Sequence, residues 1–259
     1  MCGGRPPTTA SHSRSRLPSR RAHHCVTIPA MENEQNINEA AQAASTPTTD
    51  AEAAPAVDII LASGSPRRKQ LLEDTGVAFT VHVSDVDESL EPDLLADPPE
   101  AAKKLAERKA GAVVQEVLAE DYVGTAAILG ADTMVVCGGE IFGKPKSISD
   151  AKRMLRRLSG TTHEVVTAVS LWMVAAPSKE DVSLGFRTFV DRAAVTFHDL
   201  TDEDITEYLR KGESFDKAGA YAAQGAGAAL VKHIEGSLDT VIGLPVTRLQ
   251  QEFPDLFLV

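Results

Sequence analysis

The sequence predicts an α/β protein in which helices are mixed with parallel and antiparallel strands, and three observations carry that prediction. The run Val57-Asp58-Ile59-Ile60-Leu61-Ala62 is a short apolar strand that ends in small residues and leads directly to Pro66, a residue suited to a first helical turn. From Val57 onward, strand and helix signals alternate along the chain. Residues 164–174 and 186–195 are two β-rich runs joined by the polar stretch 175–185, which reads as a hairpin, so antiparallel pairs accompany the parallel ones. The chain has 259 residues and is 43% apolar, ample for a core, and it carries no internal repeat.

The elements follow in order. Ser65 is a good N-cap for a helix from Pro66, with Leu71, Leu72 and Thr75 on one face and Gly76 as its stop. Pro98-Pro99 open a second helix, to about Val117, whose apolar face holds Ala102, Leu105, Ala106 and Val113. Residues 126–136 read as a strand. Residues 147–158 read as a helix with Ile148, Ala151, Met154, Leu155 and Leu158 at helical spacing and a Ser147/Asp150 capping box. Thr201 and Asp204 make another such box, opening a helix that turns Ile205, Tyr208 and Leu209 inward and stops at Gly212. Residues 228–233 read as a late strand, and Gly243-Leu244-Pro245 begins a last helix that ends near Glu252.

The first 56 residues have a different texture. Residues 1–30 hold five arginines and no acid, residues 31–56 hold five acids and no Lys or Arg, and neither stretch has an apolar period. Both read as a disordered extension ahead of a domain spanning 57–259. The Arg/Ser-rich, acid-free start superficially suits a mitochondrial transit peptide, but Pro6, Pro7, Pro18 and Pro29 break any long amphipathic helix, and there is no apolar core for a secretory signal. An upstream start codon, with Met31 as the true first residue, is the reading favoured by the sequence.

Composition excludes several classes. The net charge of −11 argues against broad nucleic-acid binding, so an anionic substrate needs a local cluster of cations. No apolar stretch is long enough to span a bilayer. Cys2, Cys25 and Cys137 make no zinc pattern and no disulfide framework, and Cys137, in Met134-Val135-Val136-Cys137, reads as a core thiol; this fits a cytoplasmic setting. No Gly-x-x-x-x-Gly-Lys-Ser/Thr string is present, which removes a P-loop kinase.

The chemistry concentrates in a few places. A helix that begins behind a strand offers free backbone N–H groups and partial positive charge to an anion. Arg67 and Arg68 in its first turn run against the helix dipole, so they are either solvated or placed for phosphate. Asp132 follows Ala127-Ile128-Leu129 in a strand that should be buried, where a carboxylate is costly unless it is paired, binds a metal or acts as a base. Lys109 falls in the middle of the apolar face of its helix, either snorkelling to water or reaching a cleft, whereas Lys103, Lys104 and Arg108 lie elsewhere on the wheel as ordinary solvated charges. Asp216 suits a metal ligand or the partner of a basic residue, Tyr221 suits the core or a stacked base, and Gly225 and Gly227 suit a tight backbone turn.

Ser63-Gly64-Ser65-Pro66-Arg67-Arg68, Gly130-Ala131-Asp132-Thr133, Gly143-Lys144-Pro145, Asp216-Lys217-Ala218-Gly219-Ala220-Tyr221 with Gln224-Gly225, and Val241-Ile242-Gly243-Leu244-Pro245 occur in that order over about residues 57–250. Together they resemble the Maf family of nucleoside triphosphate pyrophosphatases, named for inhibition of septum formation. The resemblance implies an inosine-triphosphatase-like fold, an elongated mixed sheet with helices and two lobes around a central cleft. It implies cleavage between the α- and β-phosphates, with Asp132 as proton acceptor, Ser65, Arg67, Arg68, Lys109, Thr133, Lys144 and Gln224 on the substrate, and Glu88 with Asp132 on a divalent cation, Mg²⁺ or alternatively Mn²⁺. Asp85 and Asp87 are close alternatives to Glu88. Arg67, Thr133 and Gln224 resemble the base-selecting set of the subtype that hydrolyses dTTP and UTP, in contrast to the sister subtype acting on 7-methyl-GTP. Modified pyrimidine nucleotides, a homodimer and a link to cell-division arrest are further expectations of the resemblance. Leu238 departs from it, standing where a polar or aromatic loop residue is expected. The competing reading is a non-catalytic nucleotide sensor, for which a buried base at Asp132 has no use.

Deleting residues 1–56 is therefore expected to leave folding and turnover nearly unchanged. A large fall in melting temperature on truncation would show instead that this extension packs on the domain.

Overall fold

The site lies where one long strand loses its neighbour. The computed structural model describes residues 57–83 and 85–258, so the expectations for residues 1–56, Met31 among them, lie outside the described residues. Seven strands, β1 (Val57–Leu61), β2 (Phe79–Val81), β3 (Gly124–Cys137), β4 (Glu140–Phe142), β5 (Thr162–Ala176), β6 (Ser183–Phe197) and β7 (Val231–Glu235), form one sheet of order β2-β1-β3-β5-β6-β7, with β4 also on β3. β1 runs parallel to β2 and β3, and every other pair is antiparallel. One edge of β3 is covered by β5 from Gly124 to Val136. The other edge is shared. β1 pairs with Thr125 through Leu129, and β4 pairs only from Val135. Residues 130–134 fall in the gap between them, and Asp132 is at its centre.

The helices are α1 (Pro66–Glu73), α2 (Pro92–Leu95), α3 (Pro98–Ala119), α4 (Ile148–Leu158), α5 (Asp202–Arg210), α6 (Leu238–Ile242) and α7 (Val246–Glu252). Strand side chains alternate between faces, and this sorts the cores. On one face, α3 buries Ala101, Ala102, Leu105 and Ala106 against Met134, Val166 and Ala168. On the other face there are two cores. One gathers Ile59, Leu61, Leu72, Leu129, Ala131, Val169, Leu171, Phe189, Leu244 and Leu249. The second gathers Val135, Phe142, Val165, Val195 and Phe197 under α4 and α5. Between them β3, β5 and β6 carry Thr133, Thr167 and Asp191 at matching register positions.

Most elements fall where the sequence places them, and the differences have local causes. Ser65 is the N-cap of α1 by position, but its side chain makes no capping bond; its own N–H is taken by Ser63 Oγ at 3.3 Å. Ser147 Oγ caps Asp150 N–H at 3.1 Å, but the Asp150 carboxylate reaches back to Lys146 N–H, so the box is only half made. The box at Thr201 and Asp204 is complete. Ile148 is exposed rather than packed with Ala151 and Leu155. The hairpin connection shrinks to residues 177–182 because both strands extend. The late strand begins at Val231, after a 3₁₀ turn over Gly225–Leu230, and β2, α2 and α6 are additional to the elements read from the sequence; Gly243 ends α6 at φ 124° and Pro245 caps α7. Leu238 opens α6 and is exposed. Cys137 is buried as expected.

Gly130 sets the distance between α3 and the sheet. A Cβ there would lie 2.5 Å from the Ala106 carbonyl oxygen and 2.8 Å from Ala110 N. Gly130→Ala is expected to force α3 away from β3 and to destabilise the fold by about 1–3 kcal/mol. Thermal melting should read this as a fall of several degrees, and an unchanged midpoint would mean that the helix accommodates the methyl.

Candidate active site

The loop after β1, the start of α1, the loop after β4, the middle of α3 and the segment 216–224 converge on the gap in β3. They enclose a cleft of about 860 Å³. The end of β1 delivers Ser63, Ser65, Arg67 and Arg68 to it, in keeping with the tendency of α/β sheets to bind ligands beyond the carboxyl ends of parallel strands. Lys144 and Gln224 also line the cleft, both exposed. All the residues expected at the site are therefore brought together, with Glu88, Lys109, Asp132 and Thr133 completing the wall.

Lys109 reaches the cleft and does not snorkel. Its ammonium lies 2.7 Å from Asp132 Oδ1 and 2.7 Å from Glu88 Oε1, so those two oxygens are at most about 5.4 Å apart. The bond from Lys109 holds the Glu88 carboxyl below the usual carboxylate range against the opposing effect of burial, with Lys144 and Arg68 adding to the depression. The sequence left Asp85, Asp87 and Glu88 open. In the structure Glu88 faces Lys109, Asp87 turns to the N–H and hydroxyl of Ser89, and Asp85 lines the cleft. Arg108 is not merely solvated: it donates to the Ser89 carbonyl at 2.6 Å and so pins the loop carrying Glu88.

Arg68 is half-buried and fixed by three bonds. Nε donates to the Gly243 carbonyl at 2.7 Å, Nη1 to Ser63 Oγ at 3.2 Å and Nη2 to Thr133 Oγ1 at 3.1 Å. Burial pushes its guanidinium down from the ordinary value, while the Asp132 carboxylate draws it back up. Two of its five N–H groups remain for a ligand. Arg67 donates to Asp216 Oδ2 at 3.0 Å, and Lys217 holds the other oxygen at 2.6 Å. Burial pushes the Asp216 carboxyl up, but those two cations outweigh it and leave it below the usual range. Asp216 is thus the partner of basic residues.

The segment around Asp216 is held by backbone geometry. Gly219 sits at φ 68° and donates its N–H to the Gly143 carbonyl at 3.2 Å, tying this segment to the loop that carries Lys144. Gly227 lies so close to Ala222 that a Cβ would come 2.1 Å from its carbonyl oxygen. Tyr221 is core, with its hydroxyl 2.8 Å from Nε2 of His163, whose pKa burial lowers to about 4. The residues that the sequence reading missed are Ser63, Asp191, Thr167, Asp239 and Thr240. Asp239 is buried and accepts from the N–H groups of Thr240 and Thr247, which sets the turn presenting the Gly243 carbonyl to Arg68.

A divalent cation fits this donor set. Among the described residues no three His, Cys, Asp or Glu side chains converge. Two carboxylates in reach of each other, each with one oxygen not taken by Lys109, suit Mg²⁺, which commonly binds one or two carboxylates and completes its shell with water and phosphate oxygens.

The chain is similar to several known proteins. A dTTP/UTP pyrophosphatase of Bacillus thuringiensis subsp. konkukian is 44% identical over 194 residues, covering 75% of this chain and 93% of the relative. One from Bacillus cytotoxicus is 46% identical over 193 residues (74% and 92%), and one from Lachnoclostridium phytofermentans 43% over 194 residues (75% and 92%). A solved nucleoside-triphosphatase / dITP/XTP pyrophosphatase from Mycobacterium abscessus is 12% identical, with a TM-score of 0.33 over 76% of this chain and 94% of that one. The family profile described as Maf-like protein matches residues 58–256, and with relatives at this level of identity the chain belongs to the Maf-like protein family.

Proposed function

We propose that this chain is a nucleoside triphosphate pyrophosphatase that hydrolyses dTTP and UTP to the monophosphate and pyrophosphate. The observation that carries the proposal is a buried carboxylate, Asp132, in the middle of a cleft walled by Arg67, Arg68, Lys109 and Lys144. Four cations in an acidic protein suit a polyanion, and one enclosed carboxylate suits a general base. The names and 43–46% identity of the relatives support the substrate class.

Phosphoanhydride hydrolysis is slow because anions repel, so positioning and charge neutralisation do most of the work. Arg68, already fixed by three bonds, binds phosphate with little reorganisation. Arg67, Lys109 and Lys144 neutralise the chain of phosphates. Asp132 accepts the proton of the attacking water. A divalent cation held by Glu88 and Asp132, Mg²⁺ or alternatively Mn²⁺, would supply further neutralisation of the phosphates. Gln224, on the cleft wall, offers both donor and acceptor to the imide edge of uracil or thymine. Among the described residues no helix is long and apolar enough to cross a membrane. Action in the cytoplasm on a free nucleotide, without nucleic acid as partner, belongs to the same proposal.

Asp132→Asn is expected to lower turnover by about a hundredfold or more while leaving nucleotide binding. A near-normal rate would pass the role to Glu88 or Asp216. Lys109→Met should also lose turnover, and it should lower the melting temperature, because Glu88 and Asp132 then face each other without their shared cation. An unchanged rate would return Lys109 to a purely structural role.

Base preference supplies a separate check. Cytosine replaces a carbonyl of the imide edge by an amine and mismatches one contact of the Gln224 amide, so UTP and dTTP should outrun CTP, and Gln224→Glu should slow both by repelling their carbonyls. Faster turnover of 7-methyl-GTP than of UTP would overturn the pyrimidine assignment and leave pyrophosphatase activity standing.

A further inference from the structure

The two apolar cores on the α1 side of the sheet are separated by a row of polar residues, and that row ends on Arg68. Thr133 on β3 is in register with Thr167 on β5, and Thr167 with Asp191 on β6. The hydroxyls of Thr133 and Thr167 are 3.0 Å apart, and Thr167 Oγ1 donates to the Thr240 carbonyl at 2.7 Å. The Thr240 hydroxyl bonds the Asp191 carboxylate, which also accepts from Arg248 Nη1 at 3.3 Å. Thr167 and Thr240 are completely buried.

The direction of this chain follows from proton counting. A threonine hydroxyl has one proton. The Thr240 carbonyl can only accept, so the Thr167 proton is committed to it. Thr167 must therefore accept from Thr133, and the Thr133 proton points along the row and away from the ligand. What Thr133 keeps is a lone pair, and Arg68 Nη2 donates to it. The same short helix, α6, carries Thr240 and ends at Gly243, whose carbonyl takes Arg68 Nε. Arg68 is thus tied to α6 twice, once directly and once through two threonines.

We infer that Thr167 is a positioning residue for the phosphate-binding Arg68, acting through the Thr133 hydroxyl. The row forms a one-way relay, Arg68 to Thr133 to Thr167 to the Thr240 carbonyl. It runs at right angles to the strands, in the layer between two cores that would otherwise close over it. An apolar residue in place of Thr167 would leave Thr133 free to turn its proton towards the cleft, where it would face the N–H groups of Arg68 and misdirect them. The inference deepens the proposed function and rests on it for the identity of the ligand.

The test uses the full chain, with inorganic tripolyphosphate as a probe that has no base. Thr167→Val keeps the shape and removes the hydroxyl. It is expected to weaken tripolyphosphate binding by about tenfold, as loss of orientation at a charged hydrogen bond would, and to raise KM for UTP and CTP by one common factor. Thr167→Ser, which restores the hydroxyl, should restore both. Tripolyphosphate binding at the normal level in Thr167→Val, or a serine variant that fails to recover it, would overturn the inference. Should Thr167→Val not fold, Thr167→Ala is read in the same way: weaker tripolyphosphate binding supports the relay, and binding at the normal level overturns it. The parent chain is a separate control. If it releases no pyrophosphate from any nucleoside triphosphate, the proposed function fails, while the tripolyphosphate comparison still decides the role of Thr167.

Discussion

The rest of the structure depends on the interruption along one edge of β3. β1 has five residues and stops at Leu61, so beyond Leu129 the long central strand loses its parallel neighbour until β4 joins it at Val135. A strand paired on both edges would bring its neighbour's backbone against Asp132 and close the cleft. Because β1 stops short, the chain can turn through Ser63-Gly64-Ser65 and begin α1 with its first N–H groups over the gap. The close approach of α3 at Gly130 has the matching effect on the other face, since Ala106 and Ala110 flank Lys109 and bring its ammonium to Asp132.

Alternation along β3 then divides the chemistry. Asp132 shares a face with Gly130 and Met134, the face that α3 covers, and so meets Lys109 and Glu88. Thr133, one residue on, points to the opposite face and meets Arg68. Two adjacent residues thus organise an acid with its ammonium on one side and an arginine with its hydroxyl on the other, and both sides open into one cleft. Two of the four cations are paired with carboxylates within the protein, Arg67 with Asp216 and Lys109 with Glu88 and Asp132. A phosphate chain entering the cleft exchanges these pairs for new ones, so its binding energy is the difference between two paired states.

Most of this was legible in the sequence where a residue broke a local rule. Arginines at a helix start, a carboxylate in an apolar strand and a lysine in an apolar helical stripe are each costly without a partner, and each lies on the cleft. What the sequence hid were residues that obey local rules. Thr167 suits a strand by its branched side chain and raises no alarm among valines and alanines. Asp191 lies in a run with Arg192 that reads as ordinary surface. Gly243 reads as the lead-in to the last helix, and only its carbonyl, not its type, touches Arg68. α6 was hidden because it is five residues long and shows no full apolar period. Lys109 was visible as an anomaly, but its two partners come from segments distant in sequence, and only the fold could choose Glu88 over Asp85 and Asp87.

The polar row between the two cores is the place where stability and function oppose each other. Val135, Val165 and Val195 lie on one side of it, and Ala131, Val169 and Phe189 on the other, all on one face of the sheet. Apolar side chains at Thr133, Thr167 and Asp191 would merge these cores and bury more surface without hydroxyls or a carboxylate to satisfy. The row holds together only because every member has a partner: Thr167 the Thr240 carbonyl, Asp191 the Thr240 hydroxyl and Arg248, and Arg248 in turn the ring of Phe189 at 4.8 Å. Such a network, satisfied from end to end, costs the fold little and specifies one geometry. Its cleft end is an arginine whose donors must meet phosphate oxygens, and hydroxyls and carbonyls are directional where packed methyl groups are not. The fold therefore keeps two smaller cores and joins them by hydrogen bonds at the level of the cleft, where direction matters more than buried area.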